Sequence, residues 1–411
     1  MNDWPRVRIG DLGQLLRGSG IRRNETVEAG KPCLRYGEIY TSFNYIFDKA
    51  KSYVPQKVYD DSLHIAKGDL VMALTGETKE EIAKTLAYLG DDEIAAGGDL
   101  AVWKNHGCDP KYLAYLMYTP EMLKAKAAAS NGQIIVHAST KKLVDIEIPL
   151  PPLSNQHSIV ARLEKELKAV EKAEAAFKSL AETAEAEFKA ELGETFAGLD
   201  AQVVDGRACR PATAVKRVKL GEVCEKIGSG ATPLGGKKTY REDGVSLIRS
   251  QNVLDLEFSR NGLAHISDIQ AKKLDGVSVM ADDVLLNITG DSVARSCLVD
   301  PECLPARVNQ HVTIIRARKD AGLMSQFLNE ALVAAKEDLL AESRKGATRK
   351  ALTKDFLLDF SIPLPPLATQ HSIVARLDAA RERAEKLKAA AGRGMALAAD
   401  MRKAILKEAF E

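Results

Sequence analysis

Two stretches of the chain place apolar residues at the three- and four-residue spacing of an amphipathic helix. In 155–198 these are Val160, Leu163, Leu167, Val170, Phe177, Ala184 and Phe188; in 369–410 they are Val374, Leu377, Ala384, Leu387, Ala391, Ala398 and Ile405. Both stretches are rich in Ala, Glu, Lys and Leu, contain no Pro, and follow a Leu-Pro-Pro-Leu segment. Proline lacks the N–H that a helix interior needs, so a helix is predicted to begin just past each pair, with Asn155 and Thr369 as N-caps. At 1.5 Å per residue each helix is roughly 60 Å long. A stripe of that length has to be covered, and the other helix is the natural cover. The spacing is that of a coiled-coil seam, broken at Glu174 and Arg381.

The remaining parts, 1–147 and about 208–361, show another pattern. Short β-forming runs (69–74, 99–103, 284–288, 311–317) alternate with turns, and a helical stretch follows in each part, at 111–128 and 321–343. Mixed α/β domains are predicted, with 199–215 as a linker.

The chain repeats itself. Residues 148–163 read IPLPPLSNQHSIVARL and 362–377 read IPLPPLATQHSIVARL, identical at 14 of 16 positions. Upstream the likeness fades: 68–76 aligns with 282–290 and keeps Asp, Thr and Gly in place, whereas 31–46 and 245–260 share only Arg35 and Arg249. The start of a helix constrains a cap and a few apolar positions. It does not by itself fix Leu153, Gln156, His157 and Arg162 together with Leu367, Gln370, His371 and Arg376. One partner, bound twice at these segments, accounts for them.

Charge supports pairing of the helices. Region 148–200 has 6 basic and 10 acidic residues, and 362–411 has 9 basic and 6 acidic. The whole chain has 411 residues, 58 Lys+Arg and 57 Asp+Glu, for a net charge of +1. It therefore has no global field for nucleic acid, and any DNA contact must rest on local patches. Six scattered Cys without a Cys-x-x-Cys pair argue against a disulfide framework or zinc ribbon and fit a reduced, cytoplasmic setting. No run reaches the roughly 18 apolar residues of a membrane helix, and the start Met1-Asn2-Asp3-Trp4 is unlike a secretory signal.

Catalytic motifs are missing. The glycine-rich segment from Gly230 lacks the spacing of a phosphate loop and carries Pro233 where a backbone donor is needed. There is no Asn/Asp-Pro-Pro-Tyr/Phe segment of an amino-methyltransferase, no His-Glu-x-x-His, no Gly-x-Ser-x-Gly and no nuclease carboxylate–lysine cluster. No catalytic residue and no metal ligand is assigned; His311 reads as a satisfied strand residue. Base edges and phosphates call for Arg, Lys, Gln and Tyr on loops, which singles out Arg22, Arg23, Arg35, Tyr36 and Lys79 in the first part, and Lys237, Lys238, Arg249, Gln251, Lys345 and Arg349 in the second.

The two Ile-Pro-Leu-Pro-Pro-Leu-x-x-Gln-His-Ser-Ile-Val-Ala-Arg-Leu segments, the long helices after them, and the order variable–repeated–variable–repeated resemble the specificity subunits of Type I restriction–modification enzymes. The strand ends Thr75-Gly76 and Thr289-Gly290 fit as well. Asn155 and Thr369 stand where many members carry an acidic residue.

The resemblance implies target-recognition domains at 1–147 and, after the linker, 201–361, and central and C-terminal repeated regions at 148–200 and 362–411. It implies an α/β fold of pseudo-twofold design, with the two domains separated by an antiparallel coiled coil. It also implies a chain that is not itself an enzyme and that reads a bipartite, asymmetric site on double-stranded DNA. Two methyltransferase subunits would dock on the repeated segments, and motor-nuclease subunits could join. S-adenosylmethionine, ATP and Mg would belong to the partners. The helices would act as a ruler, setting the half-sites about one to two DNA turns apart. The rivals are a lone DNA-modifying enzyme, a coiled-coil adaptor that does not touch DNA, and a specificity subunit of a methylation-only system.

Overall fold

The computed structural model describes residues 4–133, 135–201, 215–233, 236, 240–344 and 351–411. The predicted linker 199–215 falls mostly outside them; its first residues continue a helix. The chain divides into two compact units, one of Met1–Ser179 with Ala391–Glu411 and one of Leu180–Ala390.

In the first unit a ribbon of Arg6–Arg8 and Glu147–Pro149 closes the α/β part just before Pro151-Pro152. A five-stranded sheet runs in the order Gln14–Arg17, Leu100–Lys104, Leu70–Ala73, Thr85–Tyr88, Ile46–Phe47; a four-stranded sheet holds Lys31–Leu34 in parallel beside Ile94–Ala96. Residues 70–73 and 100–103 read as unbroken apolar runs because the sheet is covered on both faces. Leu70, Met72, Ala101 and Trp103 enter one core, while Val71, Ala73, Leu100 and Val102 enter another. The first core contains Ile159, Val160, Leu163 and Leu167 of the first long helix and Leu406 and Ala409 of the second. The predicted helix 111–128 is two, Pro110–Leu116 and Pro120–Ala128, because Pro120 forces Thr119 into extended backbone.

The second unit is built alike. Lys216–Lys219 pairs with Ser361–Leu364, and Val245–Ile248 lies parallel to Ala306–Val308. A four-stranded sheet of Cys224–Ser229, Val312–Ala317, Val284–Asn287 and Ser296–Leu298 is covered on both faces. Its helical stretch again divides, into Ser325–Ala334 and Lys336–Ser343.

The long helices run Leu153–Ala201 and Leu367–Phe410. They start before the predicted caps. The N–H groups of Asn155 and Thr369 already bond to the carbonyls of Pro152 and Pro366, at 2.9 and 2.8 Å, so both residues sit inside the first turn and the prolines close it.

The helices are antiparallel. Within the second unit Glu185 meets Lys388 at 3.1 Å, Glu191 meets Arg383 at 3.1 Å and Thr195 meets Arg376 at 2.5 Å, so numbers rise on one as they fall on the other. Within the first, Glu174 pairs with Arg402 at 2.6 Å, and Phe177 lies against Gly394, where a Cβ would come within 2.4 Å of the ring. Glu174, a gap in the apolar pattern, is thus a polar layer of the seam. Small residues, Ala184, Ala384, Ala391 and Ala398, fill much of the buried stripe, whereas Leu387 is 38% exposed.

Candidate nucleic-acid interface and docking segments

In the second unit a cavity of about 880 Å³ opens beside Thr289 and Gly290 and is lined by Ser250, Gln251, Arg295, Gln310 and His311 among others. The strand end carries Thr289, whose hydroxyl lies 2.5 Å from His311 Nδ1; His311 Nε2 is 3.0 Å from the Gln310 amide nitrogen. The Thr232 hydroxyl donates to Gln310 Oε1. Gln251 Nε2 donates to the Gly262 carbonyl at 3.2 Å, and Gly262, at φ +64°, leaves the room: a Cβ there would meet that nitrogen at 2.6 Å.

The first unit has a cleft of about 450 Å³ lined by Arg35, Tyr36, Gly37, Glu38, Gly98 and Asp99. It is built at the matching place, after the parallel strand pair. Glu38 and Asn252 accept from the backbone N–H of Arg35 and Arg249, at 2.8 and 3.0 Å. Leu34 and Ile248 accept from Gly97 and Asn309. Thr75 bonds a histidine too, His137 Nδ1 at 3.1 Å, but this ring comes from a different strand than His311 does. Thr and His thus meet at both strand ends by different routes.

The structure brings Arg35 and Tyr36 together on the first cleft and places Gln251 on the second. Arg35 and Arg249 have a local duty. Arg249 donates to the Gly262 carbonyl and stacks on Tyr240 at 5.2 Å, Arg35 reaches Ser52 Oγ at 3.4 Å, and the buried Nε of each has no hydrogen-bond partner. Arg22 is exposed on the neighbouring loop, with its backbone N–H bonded to Glu25, and Lys79 is exposed on the loop after Thr75-Gly76. Lys237, Lys238, Lys345 and Arg349, and the side chain of Arg23, lie outside the described residues.

At the repeated segments the side chains divide cleanly. Gln156 and Gln370 are buried, and both ends of each amide are bonded. Gln156 accepts from the N–H of Asp109 at 2.9 Å and donates to the Pro151 carbonyl at 2.9 Å; Gln370 accepts from Met324 N–H at 2.9 Å and donates to Pro365 and Gly322, both at 2.8 Å. Leu153 (50%) and Leu367 (47%) are exposed, as are His157, His371, Arg162 and Arg376. Arg376 also holds Thr195, and His157 Nε2 lies 3.5 Å from Asp109. Residues 153, 157 and 161 stack on one ridge, with 158 and 162 beside it.

The family described as "Type I restriction modification DNA specificity domain" matches residues 1–176 and 213–390. The chain belongs to that family.

This Type I specificity chain is 26% identical over 440 residues to the Type I restriction enzyme EcoBI specificity subunit of Escherichia coli, covering 100% of this chain and 86% of the relative. It matches the MjaVIII specificity subunit of Methanocaldococcus jannaschii at 26% over 171 residues, 39% of each chain. Its fold is that of a chain solved under "Structural basis underlying complex assembly and conformational transition of the type I R-M system", with TM-score 0.76, 21% identity, and 100% and 98% of the two chains covered. The HsdS subunit from Thermoanaerobacter tengcongensis follows with TM-score 0.53, 22% identity and coverage of 100% and 97%. The class is the non-catalytic, DNA-recognising component of a Type I restriction–modification system, and the two matched stretches are its internal repeat.

Sequence reasoning passed over several groups that this specificity chain places on the clefts. His311, a strand residue by its sequence, sits in the turn before Val312–Ala317, satisfied by Thr289 and on the rim. Gln310, Arg295 and Asp99 lay in segments without a basic pair or a glycine cluster to mark them. The alignment of Thr75-Gly76 with Thr289-Gly290 was the usable signal. Among the described residues no group of His, Cys, Asp and Glu could hold a metal, and no helix is long and apolar enough to cross a membrane.

Proposed function

We propose that the chain is the DNA-specificity subunit of a cytoplasmic Type I restriction–modification complex, reading a bipartite, asymmetric site with one half assigned to each unit. Two methyltransferase subunits dock on the exposed faces of 152–162 and 366–376, and motor-nuclease subunits join that assembly. S-adenosylmethionine, ATP and Mg are held by those partners. The length of the two long helices sets the spacer between the half-sites.

One observation carries the reading. Six positions are both exposed and identical in the two copies: Pro152, Leu153, His157, Ser158, Ala161 and Arg162, with Pro366, Leu367, His371, Ser372, Ala375 and Arg376. Packing explains the identity of buried positions such as Gln156 and Leu163. It puts little constraint on exposed ones, whereas one partner bound twice constrains them all. The clefts have diverged, as unlike half-sites require.

Co-expression with the methyltransferase partner and mapping of methylated adenines across host DNA tests the reading. A divided target with unlike halves is expected. An undivided target, or DNA binding that persists in a chain lacking both clefts, contradicts it.

A further inference from the structure

The two clefts match in frame but differ at their rims. Residue 37 corresponds to 251, each the third after the strand and two after the shared arginine; residue 98 corresponds to 310, each following the residue whose N–H bonds to that strand's last carbonyl. The first unit has Gly37 and Gly98 at these places, and the second has Gln251 and Gln310. Both glutamines are exposed on the rim, and both are held: Gln251 by the Gly262 carbonyl, Gln310 by Thr232 and His311. Arg249, beside them, is turned into its own loop and onto Tyr240.

A carboxamide presents one donor and one acceptor on a single plane. That pair matches N7 and the N6 amino group of adenine in the major groove, and it is the side-chain group suited to a two-bond contact there. A tethered amide loses less freedom on binding than a free one. Glycine offers no such group.

We infer that Gln251 and Gln310 are specificity-determining residues of the second unit and that at least one reads an adenine of an A·T pair, while the first unit reads its half-site without a counterpart. The inference rests on the DNA-reading role proposed above and adds which residues choose the base and which base they choose. His311 acts as a positioning residue: held by Thr289 through Nδ1, it fixes the Gln310 amide through Nε2. The cleft gives room for the paired bases to come close, and Ser250 and Arg295 on its wall can bond phosphate or sugar.

The test uses the whole complex. The target of the wild type is first mapped by methylation, and exchange of residues 1–147 for those of another family member identifies which half belongs to which unit. Purified complexes carrying Gln251→Ala, Gln251→Glu, Gln310→Ala or Gln310→Glu then compete for duplexes that differ at one base pair of the second unit's half-site, which reads binding without requiring turnover. The wild type is expected to prefer A·T at one position by at least about tenfold. The matching alanine variant should lose that preference and keep every other one. The glutamate variant, isosteric and acceptor-only, should move the preference towards a cytosine, whose amino group donates. Gly37→Gln, at a site where a Cβ meets nothing within 4 Å, should alter the other half-site alone.

If all four glutamine variants keep the wild-type preferences, or if they change the half read by the first unit, the inference is overturned while the proposed function stands. If the wild-type target is undivided, both fall.

Discussion

The side-chain carbonyl of Gln156 accepts the backbone N–H of Asp109 at 2.9 Å, and Gln370 holds Met324 in the same way at 2.9 Å. Asp109 and Met324 are the N-cap residues of Pro110–Leu116 and Ser325–Ala334. In each unit the repeated segment is thus fastened to the α/β part through one buried amide, whose nitrogen bonds the carbonyl of the first proline of the pair, Pro151 or Pro365, one residue before the carbonyl that closes the first helical turn. A donor and an acceptor on one group are needed; a carboxylate cannot donate to Pro151.

Removing that amide should act on stability. Gln156→Ala leaves two buried backbone groups unpaired, and a loss of about 1–3 kcal/mol is expected. Chemical denaturation of the variant measures it. A stable Gln156→Ala chain that fails to take up methyltransferase would instead place the amide in the docking face.

Docking should follow the exposed leucines. Leu153→Asp puts a charge on an apolar contact in one copy only, and its complex should retain one methyltransferase subunit in native mass spectrometry. Leu153→Asp with Leu367→Asp should retain none. Two subunits on the double variant would remove the docking face from 152–162 and 366–376.

The helices should measure the target. One heptad added at matched positions of both long helices lengthens the pair by about 10 Å, close to three base pairs at about 3.4 Å each. The half-sites should stay the same and the spacer should grow. Methylation mapping reads both, and an unchanged spacer would sink the ruler.

The units should respond to pH in opposite directions. Lys126 is buried, bonded to the Ala83 carbonyl at 3.0 Å, and burial brings its amine down to about 7. Between that value and its ordinary range the unfolded chain holds the proton and the folded one does not. First-unit stability should therefore rise with pH from about 7, by up to about 1.4 kcal/mol per pH unit. Glu330 is buried, with Asp378 adding repulsion and Arg381 partly offsetting it, and its carboxyl is pushed up to about 8. Here the folded state keeps the proton longer, so second-unit stability should fall as pH rises from 4.5 to about 8. Differences between wild type and Lys126→Leu, and between wild type and Glu330→Gln, isolate each slope. Melting curves without those differences would contradict the assignment.

The long helices and their pairing were legible because one repeated segment and one apolar stripe suffice to define them. Their caps lie three residues earlier than propensity suggests: Pro152 and Pro366 supply the closing carbonyls, whereas N-cap propensity points past them to Asn155 and Thr369. Gln156 looked like a docking residue because sequence identity does not say whether a side chain faces in or out; its bond to Asp109 spans 47 residues. The clefts were harder still. Arg35 and Arg249 stand out as the one shared pair in a diverged stretch, and in the fold each also makes a local contact, to Ser52 or to the Gly262 carbonyl. Gln310 and His311 become neighbours of Gln251 only once Val245–Ile248 lies beside Ala306–Val308.

The most direct measurement of the central claim is an exchange of residues 1–147 for those of another family member, followed by methylation mapping in a host that carries the partner subunit. One half of the target should be replaced, with the other half and the spacer retained. Replacement of both halves, or a target without two halves, would contradict the account.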